Sequence, residues 1–215
     1  MNLDLFTTSP EPSTESLSQD AFILRQFATA QAETLLENID AITVQSPFRQ
    51  MQTSRGYTMS VAITNCGAGG WISDSKGYRY SRADPLTHQA WPVMPEAFRN
   101  LAQAAAQAAG FAGFQPDVCL INRYPVGAKM GLHQDRDERD LRAPIVSISL
   151  GLPATFLWGG LQRSDKVERV LLQHGDVVVW GGASRLRFHG IAPLKAGRHP
   201  LLGEQRINLT FRQAL

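Results

Sequence analysis

The stretch ERVLLQHGDVVVWGG, from Glu168 to Gly182, places two apolar runs on either side of a short polar turn. The runs are rich in Val and Leu, and the turn QHGDV (173–177) is typical of a hairpin. Similar runs recur from residue 117 onward at roughly ten-residue intervals, which is the spacing of an all-β sandwich or barrel. They are VCLINRY, PIVSISL, ATFLWGG, RFHGIAPL and INLTFRQ. The pattern predicts a jelly-roll-like core over about residues 115–215.

Two helices are predicted in the first half of the chain. AQAETLLENIDAI (30–42) carries apolar residues at helical spacing, among them Leu35, Ile39 and Ile42. EAFRNLAQAAAQAA is rich in strong helix formers, with Pro95 suited to its first turn and Gly110 to its C-terminal end. The fold class is therefore mainly β with flanking helices (α+β).

The remaining parts of the first half show less regular patterns. Residues 1–20 are rich in Ser, Thr, Pro and acidic groups, which predicts a flexible N-terminal arm. AFILRQF (21–27) predicts a short strand. The aromatic segment at about 45–92 contains CGAGGW and SKGYRYS, which predict short strand pieces joined by Gly-rich turns. A segment this long with little core character suggests a lid, and we expect residues 21–215 to form one domain.

Charge and cysteine content narrow the class of protein. The chain has 215 residues and a formal net charge of +2, which permits nucleic-acid binding without requiring it. Cys66 and Cys119 form no spacing motif, which favours a reducing, cytoplasmic location. No apolar run reaches membrane-spanning length, and we expect no membrane partner.

GLHQDRDE (131–138) places His133, Asp135 and Asp137 at alternate positions, so in a strand they would share one face. Such a face is either solvated or carries a cation, because burying these groups unpaired is costly. Two histidines and one carboxylate form the facial site of non-haem Fe(II) oxygenases. His189, at a strand end in RFHGIAPL, is the best third ligand; the other histidines, His88, His174 and His199, lie in loops or turns. An isolated surface His–Asp link is the alternative.

RINLTFRQ places Arg206, Asn208, Thr210 and Arg212 on one strand face and apolar residues on the other. Two guanidiniums on one face suit an anion, and a dicarboxylate would satisfy both. In VCLINRY, Asn122 and Tyr124 share a face and could donate to the same ligand. For one strand alone a solvated face is the simpler interpretation, but several such faces in one β core favour a site.

These motifs resemble the AlkB family of Fe(II)- and 2-oxoglutarate-dependent dioxygenases. The matching stretches cover nearly the whole chain beyond the N-terminal arm: QSPFRQM, GYTMSVAITNCG, FQPD, INRY, LHQDRDE, LRAPIVSISLGLPA, GGLQRSD, HGDVVVWGG, HGI and NLTFRQA. The resemblance implies a double-stranded β-helix (jelly-roll) core and an N-terminal nucleotide-recognition lid. Gly131 and Arg187 depart from the family pattern without removing a ligand.

The resemblance also implies roles for named residues. It implies His133, Asp135 and His189 as catalytic iron ligands, and 2-oxoglutarate contacts from Asn122, Tyr124, Arg206, Asn208 and Arg212. It implies substrate contacts from Trp71, Tyr78, Arg79, Tyr80, Asp137 and Arg163. The cofactors would be Fe(II), with 2-oxoglutarate and O2 as co-substrates.

The implied activity is oxidative demethylation in DNA repair. The enzyme would hydroxylate the N-methyl group of 1-methyladenine or 3-methylcytosine, releasing formaldehyde, succinate and CO2. Such bases cannot pair, so flipping them out of the helix costs little free energy. They are also cationic, which suits an aromatic face at Trp71 and a carboxylate at Asp137. The partner would be alkylated single- or double-stranded DNA, with RNA as an open alternative, and a monomer is expected.

Two other functions stay open at this level. The chain could be a 2-oxoglutarate-dependent hydroxylase of a protein or small molecule, which the aromatic, basic lid makes less favoured. It could also be a β-barrel binding module without catalysis, which would bind no metal.

Overall fold

The computed structural model describes residues 13–215, which form two antiparallel sheets, a separate hairpin and two α-helices. The strands are β1 (Thr14–Ser18), β2 (Ala21–Leu24), β3 (Arg49–Gln52), β4 (Thr58–Gly67), β5 (Gly70–Asp74), β6 (Gly77–Ser81), β7 (Val118–Pro125), β8 (Met130–His133), β9 (Ile145–Gly151), β10 (Ala154–Trp158), β11 (Glu168–Leu172), β12 (Val177–Trp180), β13 (His189–Ile191) and β14 (Gln205–Arg212). The helices are α1 (Ala32–Gln45) and α2 (Glu96–Ala108).

The larger sheet has eight strands in the order β1-β2-β12-β9-β14-β7-β4-β3, and the smaller has four in the order β11-β10-β13-β8. One apolar core lies between the two sheets and includes Trp180 and Trp158. A second core lies between the outer face of the larger sheet and the two helices, and includes Phe98 and Phe211. This is the predicted jelly-roll architecture, with the helices on one side only.

The predicted helices are confirmed. In α1 the side chains of Leu35, Ile39 and Ile42 are buried, as their spacing predicts. Pro95 immediately precedes α2, and Gly110 follows it at φ 88°, a left-handed conformation that glycine adopts without strain. Neither helix of the described residues is long and apolar enough to cross a membrane.

The predicted hairpin at 173–177 is wrong, although the turn itself exists. The amide of Asp176 donates to the carbonyl of Gln173 at 3.2 Å. However, β11 pairs with β10 in the smaller sheet, whereas β12 pairs with β2 and β9 in the larger one. The turn therefore carries the chain from one sheet to the other. Burial agrees with these partners. All four residues of β12 are buried, and this strand lies inside the larger sheet between β2 and β9. Most of β11 is exposed, and this strand forms an edge of the smaller sheet.

Two expectations for the first half are also corrected. The arm was expected to be flexible to residue 20, but Thr14–Ser18 forms β1 and pairs with β2; residues 1–12 lie outside the described part. The segment at 45–92 has more core character than its composition suggests, because β4 pairs with β7 and buries Val61 and Ile63. Only β5 and β6, paired with each other, stand apart from the main sheets.

Candidate metal centre and substrate pocket

Two paired strands of the smaller sheet bring two histidines together. β8 ends at His133, β13 begins at His189, and the two residues are direct partners in the antiparallel register. Their ring centres are 4.4 Å apart. Asp135 follows β8, with Oδ1 3.5 Å from Nε2 of His133 and Oδ2 3.8 Å from Nε2 of His189. The three candidate ligand atoms lie within 4.8 Å of one another, as a shared metal ion requires.

The predicted strand through His133, Asp135 and Asp137 is wrong, because β8 ends at His133. Past this point the chain leaves the sheet, and the side chain of Gln134 donates to the carbonyl of Leu186 at 2.6 Å. The two acidic residues therefore take their positions from loop contacts and not from strand alternation.

The hydrogen bonds of both imidazoles favour metal binding through Nε2. Nδ1 of His133 lies 2.9 Å from the carbonyl oxygen of Gly131, and Nδ1 of His189 lies 3.0 Å from that of Arg187. A carbonyl oxygen can only accept, so each Nδ1 carries the proton and each Nε2 presents its lone pair. Orienting bonds of this kind are usual for metal-ligating histidines.

Burial and charge set the protonation of the other groups. Burial lowers the pKa of His189 to about 4, and the neighbouring His133 adds to the effect, so the ring is neutral at pH 7. Burial alone would raise the pKa of Asp135, but the guanidinium of Arg212 outweighs it and holds that pKa well below its usual range. Arg212 donates to Oδ2 of Asp135 from Nη2 at 2.6 Å and from Nε at 3.1 Å. Oδ1 makes no hydrogen bond within residues 13–215.

The lowered pKa of His189 predicts acid lability of the metal-free protein. Between pH 6.5, the ordinary value, and about pH 4, the unfolded chain binds a proton that the folded chain does not. Stability should therefore fall as pH falls through this window, by roughly 3 kcal/mol for this residue. Urea unfolding at several pH values would measure this. His189→Gln should flatten this pH dependence of stability. An equally steep dependence in that variant would contradict the assignment to His189 and point instead to His174 and His199, whose pKa values are also lowered by burial.

A polar strand face extends inward from the triad. On β14 and β7, Arg206 is the register partner of Tyr124, and Asn208 is that of Asn122. Nη2 of Arg206 donates to Oγ of Ser149 at 3.0 Å, and its guanidinium lies 5.0 Å from the Tyr124 ring centre. The predicted sharing of one face is confirmed, but the face is buried and not solvated, since Arg206 is only 1% exposed.

Several donors and one acceptor on this face lack partners. Within the described residues, Nε and Nη1 of Arg206, Nη1 of Arg212 and Oδ1 of Asn122 are buried without a hydrogen bond. Burial lowers the pKa of Arg206, which indicates how unfavourable its charge is there. Such orphaned groups are rare in folded proteins, and here the guanidinium donors suit a bound carboxylate ligand.

A cavity of about 690 Å³ is lined in part by two members of the triad, His133 and Asp135. Trp71 and Tyr78 form part of its wall and stack on each other with ring centres 5.4 Å apart. Nε1 of Trp71 donates to Oδ2 of Asp137 at 3.1 Å. Arg163 also lines the cavity and donates to the carbonyl of Leu132 at 3.0 Å. An aromatic and acidic cavity beside a metal triad could hold a flat, cationic ring.

Two predicted substrate residues do not line this cavity. Arg79 forms an ion pair with Asp74 at 2.7 Å, on the face of the β5–β6 hairpin opposite to Trp71. The alternation of GYRYS explains this, because Arg79 must point away from Tyr78 and Tyr80. The hydroxyl of Tyr80 donates to Oε1 of Glu138 at 2.6 Å, and Tyr80 itself is not among the residues that line the cavity.

Two further residues of the site had no predicted role. Glu138 and Arg185 form a buried ion pair of 3.0 Å, with side chains 2% and 4% exposed. Arg185 also donates from Nη1 to the carbonyl of Asp135 at 2.6 Å. Charged residues are exposed by default, so nothing in the sequence marked this pair as buried, although Glu138 ends the motif LHQDRDE.

The two departures from the family pattern leave the triad intact. A side chain at Gly131 would meet no atom within 4 Å. Arg187 donates to the carbonyl of Gly159 at 2.8 Å, and its guanidinium lies 5.3 Å from the Trp158 ring centre.

Comparison with known proteins agrees with this geometry. The model of the 2OG-Fe(II) oxygenase superfamily matches residues 20–212. The chain is 62% identical over 212 residues to the alpha-ketoglutarate-dependent dioxygenase AlkB of Escherichia coli K12, covering 99% of this chain and 98% of that protein. The chain belongs to the AlkB family of 2OG-Fe(II) oxygenases. The resemblance inferred from the sequence motifs is thereby confirmed.

More distant relatives share the fold of this AlkB-family oxygenase. The solved structure of OsALKBH1 superimposes with a TM-score of 0.82 at 30% identity, covering 94% of this chain and 100% of that one. The nucleic acid dioxygenase ALKBH1 of Mus musculus is 35% identical over 118 residues, covering 55% of this chain and 28% of that protein. The protein is an Fe(II)- and 2-oxoglutarate-dependent dioxygenase, with O2 as its second co-substrate.

Proposed function

We propose that this AlkB-family oxygenase removes N-methyl groups from damaged bases in DNA, with 1-methyladenine and 3-methylcytosine as substrates. The observation that carries the proposal is the cavity beside the His–Asp–His triad, because a stacked aromatic pair and Asp137 border it. A base methylated on its pairing edge is flat and cationic, so it would gain from both groups. The relatives named for nucleic-acid substrates support the same substrate class.

The residues present fit the cofactor and co-substrate of the family. His133, Asp135 and His189 would hold Fe(II) through two Nε2 atoms and one carboxylate oxygen. Arg206 would bind the distal carboxylate of 2-oxoglutarate with its unpaired Nε and Nη1. Asn122, Tyr124, Asn208 and Arg212 would line the rest of that ligand. When bound, iron with 2-oxoglutarate and O2 supplies the oxidation that converts the N-methyl group to formaldehyde, with succinate and CO2 as co-products.

The other side chains would bind and orient the base. Trp71 would stack on the cationic ring, with Tyr78 supporting the indole from behind. Asp137 would accept a hydrogen bond from the base or balance its positive charge. It already accepts a hydrogen bond from Nε1 of Trp71, which fixes the position of the indole. Arg163 would meet a phosphate at the rim of the cavity. The β5–β6 hairpin would thus act as the nucleotide-recognition lid.

The decisive experiment measures succinate and formaldehyde release with a single-stranded oligonucleotide that contains 1-methyladenine. We expect both products in equal amounts, and little succinate with the unmethylated oligonucleotide. The His133→Ala variant serves as the control for background turnover. Succinate release that is indifferent to the methylated oligonucleotide but rises with a peptide or small molecule would instead indicate a different hydroxylase.

Substitutions at the indole test base recognition separately. Trp71→Ala should raise KM for the methylated oligonucleotide about 5- to 150-fold, since stacking and cation–π contacts contribute roughly 1–3 kcal/mol. Trp71→Phe keeps an aromatic face and should lose much less. Equal KM values for the alanine and phenylalanine variants would argue against a stacking role.

We further propose that the protein acts as a cytoplasmic monomer on single- or double-stranded DNA, with RNA to be tested beside it. Cys66 and Cys119 form no spacing motif typical of a disulfide framework, which favours a reducing compartment. Light scattering after gel filtration would test the monomer.

A further inference from the structure

The side chain of Glu138 connects the substrate hairpin to the metal centre. Its Oε1 accepts the hydroxyl hydrogen of Tyr80 at 2.6 Å and lies 3.2 Å from Nε of Arg212. Arg212 in turn donates twice to Oδ2 of Asp135. Three contacts therefore run from β6 to the candidate metal carboxylate through two buried, charged side chains.

The second oxygen of Glu138 completes the arrangement. Oε2 accepts from Nη2 of Arg185 at 3.0 Å, and Nη1 of the same guanidinium donates to the backbone carbonyl of Asp135. Two carboxylates thus face two guanidiniums in a buried, neutral cluster of Asp135, Glu138, Arg185 and Arg212, which holds Asp135 by both its side chain and its backbone. Pairing of this kind offsets the cost of burying the four charges.

Tyr80 contributes to the cluster from the hairpin side. It is the register partner of Trp71, which makes its own hydrogen bond to Asp137. Burial raises the pKa of Tyr80, so its hydroxyl keeps its proton and remains a donor. The hairpin is therefore joined at two points to consecutive residues that line the cavity, Asp137 and Glu138.

We propose that Glu138 is a positioning residue that, held by Tyr80, fixes Arg212 and so directs the carboxylate of Asp135 toward the two histidines. Tyr80 then acts through Glu138 and is not a substrate contact. This inference rests on the proposed role of Asp135 as a metal ligand. If Arg212 loses the restraint of Glu138, it can rotate with Asp135, and the three ligand atoms lose their alignment.

Metal affinity tests the role without catalysis. Co(II), titrated into the metal-free full-length protein and followed by its visible absorption, replaces iron as the probe. Outer contacts to metal ligands typically change affinity about 10–100-fold, so Glu138→Gln should weaken Co(II) binding about tenfold or more. Tyr80→Phe, which removes one hydroxyl, should weaken it about threefold and alter the Co(II) spectrum in the same direction. Glu168→Gln and Tyr57→Phe, at exposed positions, are matched controls that should bind as the wild type does.

The double variant separates coupling from independent effects. Because Tyr80 acts through Glu138, Tyr80→Phe should add nothing to the loss already caused by Glu138→Gln. Losses that multiply, or a Tyr80→Phe variant with wild-type affinity, would overturn the proposal. Should Glu138→Gln fail to fold by circular dichroism, Tyr80→Phe alone decides by the same threefold criterion.

The outcomes also distinguish this inference from the proposed function. A wild-type chain that binds no Co(II) overturns both the ligand assignment and the role of Glu138. In the other case the wild type binds Co(II) and the variants show the coupling, while the wild type releases no formaldehyde from methylated oligonucleotides. That result supports Glu138 as a positioning residue and rejects only the proposed substrate.

Discussion

Replacing Arg206 with methionine is expected to stabilise the protein without ligands and to remove its affinity for 2-oxoglutarate. The guanidinium is 1% exposed, has no carboxylate partner within the described residues, and leaves Nε and Nη1 without hydrogen bonds. An apolar side chain of similar volume avoids this desolvation, which should raise the free energy of unfolding by about 1–3 kcal/mol. In the variant, the buried carboxylate of 2-oxoglutarate would have no cationic partner. The affinity for 2-oxoglutarate should therefore fall at least about 100-fold, or roughly 3 kcal/mol.

Two measurements on the same variant check this. Urea unfolding gives the stability of the metal-free protein, and the shift of the thermal midpoint with 2-oxoglutarate and Co(II) gives binding. Arg123→Met is a matched control on the neighbouring strand β7, because Arg123 is exposed and should affect neither quantity much. A destabilised Arg206→Met variant would mean that Ser149 and Tyr124 already compensate the charge. Retained binding would remove Arg206 from the co-substrate site.

The polar faces of β14 and β7 could be predicted from sequence because strand alternation is a local rule. Arg206, Asn208 and Arg212 had to share a face once β14 formed, and the apolar residues between them had to meet the helices. The same rule excludes Arg79 from the face of Trp71, so this signal was present in GYRYS. Where side chains follow backbone periodicity, sequence was sufficient.

Features that depend on which distant strands or charged groups pair with each other could not be predicted from strand alternation. The turn at 173–177 is locally compatible with a hairpin, and only the burial of β12 on both faces sends it to the other sheet. Glu138 and Arg185 are buried only because four charges from three separate parts of the chain neutralise one another. Such a cluster has no signature in composition or spacing, since each member alone would be assigned to the surface.

Two of the proposed ligands, His133 and Asp135, are expected to be equally essential for turnover but to differ in their effect on the fold. His133→Ala and Asp135→Asn should each reduce succinate release at least about 1000-fold, equivalent to roughly 4 kcal/mol, because each would remove one of the three proposed metal ligands. The side chain of His133 is 39% exposed, so its loss should change the stability of the metal-free protein little. Asp135 is 8% exposed and is the main counter-charge of Arg212.

Asp135→Asn should therefore also destabilise the metal-free protein, by about 3 kcal/mol, because it leaves a buried guanidinium only partly neutralised. Urea unfolding of the two variants and the wild type at pH 7, without metal, measures this difference. An Asp135→Leu variant would separate charge from shape, and it should be at least as unstable as the asparagine variant. Equal stability of His133→Ala and Asp135→Asn would mean that Glu138 alone neutralises Arg212 and Arg185. Wild-type turnover in either variant would show that the residue is not a ligand, since the remaining two side chains cannot form a facial site.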